Sequence, residues 1–355
     1  MDYYLIELLQ RITKQYTAHD FLFLSDKAMD DFFSPSKHIN TVVIKPVIKG
    51  NLSLKYWYDI KLTAAVKKYK ADVLVNLDNA CSLLTKLPQV LLVKDLAIIH
   101  QPKYFSKSTF WFYKLYQKKF LQTANQIITL SQFVKQGIIT HYQIPSEKFA
   151  ILPPAANKKF APILFEERQA LKNTYAEGKE YFLFVGGTAT QNNLMNVLKA
   201  FSIFKKWQQS NMKLLVVGRC DSGFMEKLKT YKYRNEVVML GYLPQVNYSS
   251  ILAACYALIY MPFYEGHCLP LLEALQTGAA SIASSSSLLP EIVADAALYA
   301  NPIDVDEIAN QMKKMYRDEN LRSQLINEGL IEAAKFSWDA AAEKFMKIVM
   351  AASSK

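Results

Sequence analysis

Two carboxylates, Glu265 and Glu273, stand eight positions apart in the segment Phe263-Tyr264-Glu265-Gly266-His267-Cys268-Leu269-Pro270-Leu271-Leu272-Glu273. Carboxylates that border one pocket can accept hydrogen bonds from neighbouring hydroxyls, so the chemistry in view is recognition of a polyol such as a sugar or a ribose. Ahead of the pair lies the apolar run Ala257-Leu258-Ile259-Tyr260-Met261, a strand that Pro262 must end. Pro270 suits the first position of a helix, where its missing N–H would be unpaired anyway. The amides of Gly266, His267, Cys268 and Leu269 then precede a helix N-terminus, where free donors and the positive dipole end favour an anion such as phosphate. On this reading Glu273 falls in the first helical turn. The plainer alternative is that Glu273 only complements the helix dipole and Glu265 is a solvated loop charge.

The elements that must position these groups follow from the alternation of aliphatic runs with helical patterns, which predicts α/β domains with doubly wound parallel sheets. Strands are expected at Val73–Asn76, Val90–Val93 and Gln126–Thr129 in the first half. In the second they are expected at Tyr181–Val185, Lys213–Val217, Val237–Leu240, Ala257–Tyr260 and Ala280–Ala283. A stretch rich in Pro, Ala and charge between Pro153 and Lys179 marks a boundary, giving domains of residues 1–160 and 161–337 and a final helix over 338–355. Ligands of such sheets bind beyond the carboxyl ends of the strands. Those exits offer Gly186-Gly187-Thr188, whose glycines let backbone approach a ligand, then Gln191 and Asn192, with Asn192 or Asn193 able to cap the next helix. They also offer Arg219, a cation that could face phosphate or solvent, and Gly241-Tyr242-Leu243.

The segment from Glu265 to Ala274 resembles the E-G-F-G-L-P-x-x-E-A motif of family-4 retaining glycosyltransferases. Gly278–Ser284, Leu289-Pro290-Glu291-Ile292, Asp295–Tyr299, Ile127–Lys135 and Lys148–Pro154 follow the family's order and spacing. The resemblance implies the GT-B fold, two Rossmann-like domains facing a central cleft. It also implies transfer of a hexose from a nucleoside-diphosphate sugar to a lipid-linked or polysaccharide acceptor in cell-surface glycan synthesis. It makes the reaction retaining, with no metal and no resident cofactor. It assigns Glu265 to the sugar and Glu273 to the ribose, and it puts Gly241-Tyr242-Leu243 beside the nucleobase. The final helix is expected to cross back onto the first domain.

Departures from the motif bear on activity. The family's Arg-Lys-Asn is Gln191-Asn192-Asn193 here, and its His-Asp-Leu is Lys94-Asp95-Leu96, so two cations and a His are replaced. Lys94 and Asp95 are the corresponding catalytic candidates, and Lys94 or Arg219 could restore some positive charge. His267 and Cys268 replace the Phe and second Gly of the motif. Met1–Leu9 already matches the family's first helix, which implies that a first strand and its glycine-rich loop are missing from residues 1–355. The alternative to an active enzyme is a catalytically reduced relative that binds nucleotide sugar or serves as the partner subunit of another glycosyltransferase.

With 355 residues and 51% apolar side chains, the chain can bury two domain-sized cores. Its net charge of +11 is uneven: residues 1–165 hold 22 Lys/Arg against 11 Asp/Glu, and the remainder holds 20 of each. Part of the excess sits in residues 103–121, where lysines and aromatics interleave at helical spacing, as in a helix that could lie on an anionic membrane surface or pack against the core with a solvated basic face. No signature of a nucleic-acid-binding module accompanies the charge. The four cysteines share no metal-ligand spacing, no signal peptide precedes the first amphipathic segment, and no apolar stretch is long enough to span a bilayer. A cytoplasmic protein, soluble or peripheral on the inner face of the membrane, is expected.

Overall fold

The computed structural model describes residues 3–28, 36–46 and 49–353. The chain divides into two compact units, Met1–Pro154 with Ser337–Lys355, and Ala155–Phe336. The break thus falls at Pro154, ahead of the boundary read at 160, because Ala155, Ala156 and Phe160 are buried with the second unit.

The first unit holds β1 (Phe21–Ser25) and β2 (Ile39–Val43), which pair in parallel with each other, and a separate parallel sheet of β3 (Leu74–Asn76), β4 (Gln89–Val93), β5 (Gln126–Thr129) and β6 (Phe149–Ile151) in that order. Every residue of β4 is buried, as a continuous apolar run covered on both faces requires. The first helix, Tyr3–Gln15, packs on the last, Trp338–Ser353; the Tyr4 and Trp338 rings lie 5.3 Å apart and the Tyr4 hydroxyl donates to the Leu152 carbonyl at 3.2 Å. The basic aromatic segment forms a helix over Lys107–Thr123 after a short 3-10 turn at Pro102–Tyr104. It starts later than 103 because Ser106 supplies the N-cap, accepting from the Thr109 amide at 3.1 Å.

The second unit is a six-stranded parallel sheet of β7 (Tyr181–Val185), β8 (Lys213–Val217), β9 (Val237–Gly241), β10 (Ala257–Tyr260), β11 (Ala280–Ser284) and β12 (Leu298–Ala300), ordered β12-β11-β10-β7-β8-β9. Phe182, Phe184, Phe201, Phe204, Val216 and Ile259 are fully buried in its core. Burial of a side chain this large contributes about 1.5–3 kcal/mol. The chain winds outward from β7 in both directions, so the order reverses between β7 and β10, and the crevice at their carboxyl ends is where a doubly wound sheet takes its ligand. The eight strands read from sequence are present, within a residue at their ends. The strands β1, β2, β6 and β12 were not among those expected. Two of these are three residues long, and β2 has no run of buried residues to mark it.

Candidate active site

The loop after β10 carries Glu265, and its carboxylate is held on several sides. The Tyr260 hydroxyl donates to Oε2, while the amides of Gly266 and His267 donate to Oε1 at 2.9 and 3.1 Å. The Glu265 amide itself donates to the Ser287 hydroxyl at 3.2 Å. Burial alone would push the Glu265 carboxyl up, but neighbouring His267 and the Tyr260 and amide donors outweigh it and hold the group below its ordinary range. His267 Nδ1 sits 3.3 Å from Oε1, buried and without a well-formed hydrogen bond.

These contacts revise the loop's expected role. Two of the amides assigned to a phosphate, those of Gly266 and His267, are occupied by the Glu265 side chain, which supplies the anion that a helix N-terminus favours. Cys268 is the N-cap residue, buried and left-handed with φ 58°, a conformation in which its Cβ carries a steric cost that a glycine would escape. The helix runs Leu269–Thr277, so Pro270 takes the second position, not the first. Glu273 therefore lies beyond the first turn, on the buried face, at 6% exposure. Dipole complementation does not explain a carboxyl placed there. Burial raises its pKa to about 8, the nearby Tyr248 hydroxyl offsetting part of the rise. No well-formed hydrogen bond joins that hydroxyl to the carboxyl.

The loop after β7 meets the same crevice. The Phe263 amide donates to the Gln191 carbonyl at 3.1 Å, which ties residues 186–193 to the Glu265 loop. The glycines there also serve close contacts within the protein. A Cβ on Gly187, at φ +63°, would stand 2.2 Å from the Arg219 carbonyl oxygen, and one on Gly186 would meet the Asn192 side chain at 2.7 Å. They let the β7 and β8 exit loops interlock. Thr188 completes the lock: its amide donates to the Arg219 carbonyl at 3.0 Å and its hydroxyl to Asp221 Oδ2 at 2.8 Å. Asn192 turns its amide onto the Gly186 carbonyl, and Asn193 occupies the N-cap of the Leu194–Gln208 helix without capping it, donating instead to the Pro302 carbonyl at 2.6 Å. The side chains of Gln191 and Arg219 are exposed at the exits. After β9, Gly241 is left-handed with open space around it, Leu243 is half-buried, and Tyr242 projects at 87% exposure.

Lys94 and Asp95 belong to the first unit, at the exit of β4. The Lys94 amide donates to Asn79 Oδ1 at 3.2 Å, and Asp95 Oδ1 accepts from the Ala97 amide at 2.8 Å, so the carboxylate caps the turn that follows. Tyr260, Ser287 and Tyr248 were not foreseen. Tyr260 ends an apolar strand and Tyr248 lies in the helix before it, and nothing in either context separates them from core tyrosines. Among the described residues no group of three His, Cys, Asp or Glu side chains is placed to hold a metal ion.

Comparison with known proteins gives this geometry its context. Residues 165–332 match the family described as Glycosyl transferases group 1, and residues 1–159 match Glycosyltransferase Family 4. The chain belongs to the family-4-like glycosyltransferases of the GT-B fold. This family-4-like chain is 26% identical over 249 residues to O-antigen chain mannosyltransferase B of Escherichia coli, covering 69% of the chain and 65% of that protein. It is 24% identical over 250 residues to the serotype-specific mannosyltransferase WbdA of Escherichia coli, covering 68% of the chain and 31% of WbdA. The matches thus span less than two thirds of these relatives' lengths. Among solved structures, WaaG, a glycosyltransferase involved in lipopolysaccharide biosynthesis, superposes with a TM-score of 0.77 at 17% identity over 96% of this chain and 95% of that one. Anabaena Alr3699/HepE, in complex with UDP and glucose, superposes with 0.75 at 15% identity over 98% and 96%. At these identities the likeness concerns the fold.

Proposed function

We propose that the chain transfers a hexose, with retention and without a metal or resident cofactor, from a nucleoside-diphosphate sugar to a lipid-linked or polysaccharide acceptor in cell-surface glycan synthesis. The observation that carries this reading is the Glu265 carboxylate, held at the switch point of the second sheet by Tyr260 and two loop amides, with Glu273 buried on the helix that follows. A carboxylate fixed before ligand arrives needs little reorganisation to hold a sugar as positive charge develops on it. Glu265 reads the sugar and Glu273 the ribose, with Tyr242 and Leu243 flanking the base and Arg219, at the β8 exit, the cation assigned to the diphosphate. The similarity to O-antigen and serotype-specific mannosyltransferases makes mannose the first hexose to test.

One observation favours a second reading, a nucleotide-sugar-binding or partner subunit with reduced turnover. Residues 191–193 carry no cation, and the Asn192 side chain is folded onto Gly186. Calorimetric titration with GDP, UDP and ADP, followed by turnover assays with the sugar form of whichever binds, separates the readings. Binding with turnover supports the enzyme, binding without turnover supports the subunit, and no binding at millimolar nucleotide removes the enzyme reading.

The acceptor side of the proposal includes an anionic membrane surface, at the inner face of the cytoplasmic membrane. The Lys107–Thr123 helix buries Phe112, Phe120 and Leu121 but leaves Trp111 61% and Leu115 59% exposed, with Lys114 Nζ 4.6 Å from the Trp111 ring centre. An exposed aromatic beside lysines suits the headgroup level of a bilayer. Equal flotation with neutral and anionic liposomes would exclude it.

A further inference from the structure

A groove in the second unit lies apart from the crevice at β7 and β10. Its walls are the helices Leu194–Gln208 and Ser222–Lys229, it encloses about 430 Å³, and it is lined by Met195, Leu198, Phe224, Leu228 and Tyr231 with Lys199, Lys227 and Lys232 around them. That volume is within the range of small-molecule sites, roughly 300–1,000 Å³. The polar groups at its base are satisfied internally: Ser202 Oγ donates to Tyr231 Oη at 2.9 Å, and Tyr231 Oη donates to the Leu198 carbonyl at 2.8 Å. What the groove offers a ligand is therefore apolar surface and exposed ammonium groups. No Asp or Glu is among its lining residues. Met195 stands 47% exposed at one end, an apolar side chain uncovered within reach of Lys199 one turn on.

Right-handed crossovers place this groove on the sheet face opposite the Glu273 helix. The chain steps β7-β8-β9 in one direction and β10-β11-β12 in the other, so the two sets of connecting helices cover opposite faces. The lining of the groove accordingly shares no residue with the Glu265 loop or the Glu273 helix. The chemistry that fits both the apolar walls and a rim of one charge sign is an anionic amphiphile, and three lysines among the lining residues favour an acceptor with several charged oxygens.

We propose that this groove binds a phosphate monoester of an aliphatic alcohol, the chain lying along Leu198, Phe224 and Leu228 and the phosphate meeting Lys199, Lys227 and Lys232. Calorimetric titration of the full chain with decyl phosphate below its micelle threshold tests it, with inorganic phosphate and decanol as the two half-ligands. The expected result is one saturable site per chain, with each half-ligand weaker by about tenfold or more. The combined Lys199→Glu, Lys227→Glu and Lys232→Glu variant should lose that site and keep the wild-type thermal midpoint. If the combined variant does not fold, Lys227→Glu alone is the test, expected to weaken decyl phosphate by about threefold or more. Absence of a saturable site, equal binding of decanol, or unchanged affinity in the folded lysine variants would overturn the assignment.

Discussion

Replacing Glu273 by Gln should change how stability depends on pH. The carboxyl is 6% exposed and titrates near 8 in the folded chain, against an ordinary value of 4.5. Because the folded value is raised, the folded state keeps a proton that the unfolded state has shed. Its contribution is fully present below 4.5 and is lost as pH rises through 8. Treating 4.5 as the unfolded value, the linkage costs the fold about 1.5 kcal/mol at pH 5.5 and about 4.5 kcal/mol at pH 8.5. A neutral amide of the same size carries no such cost, so the variant should gain on wild type by about 3 kcal/mol between these pH values. With a urea dependence of about 1–3 kcal/mol per molar, the difference in midpoint should grow by about 1 M or more. Urea unfolding of both proteins at the two pH values, followed by circular dichroism, measures it. Parallel pH dependence in wild type and Glu273→Gln would refute the reasoning, since it would mean that the carboxyl ionises in the fold as freely as in the unfolded chain.

Glu265→Gln should lower turnover by about a hundredfold to a thousandfold while nucleotide affinity changes little, because the carboxylate is assigned to the sugar; a matching loss of nucleotide affinity in calorimetry would move its role to the nucleotide. Tyr260→Phe removes a donor to the ionised Glu265, so the Glu265 pKa should rise and the acidic fall in kcat/KM should begin at higher pH. An unshifted acid limb would show that the Tyr260 contact does not tune this group. Gly187→Ala puts a Cβ at a left-handed position against the Arg219 carbonyl and should cost about 2 kcal/mol or more, read as a lower unfolding midpoint.

The sequence makes the second sheet legible because its strands are near-continuous aliphatic runs and their exits are marked by Gly186, Gly241 and Pro262. The Glu265–Glu273 spacing likewise locates the helix that bears the pair. What spacing does not reveal is direction. Counting from Pro270 puts Glu273 in the first turn, whereas Cys268, held left-handed, starts the helix at Leu269 and turns the carboxyl inward. Gly187 announces a close approach without naming the partner, and the partner is the backbone of Arg219, brought near by strand order rather than by sequence. The amides of Gly266 and His267 invite an anion, and only the folded loop shows that Glu265 is the one that answers. The strands β1 and β2 escape the pattern because neither has a fully buried face to impose alternation.

Those two strands have a consequence for handling the protein. Among the described residues β1 pairs with β2 alone, and β3 ends its own sheet. The strand β1 carries Phe21-Leu22-Phe23-Leu24, uncharged, free of proline and only half-buried, which is the composition of a segment prone to stack on copies of itself. Asp20 and the Asp26-Lys27 pair bracket it with charges that oppose such stacking at close range. Colloidal behaviour at high concentration therefore hinges on a few bracketing side chains in the first unit, and added salt, by screening them, promotes self-association before it disturbs the second unit's buried core.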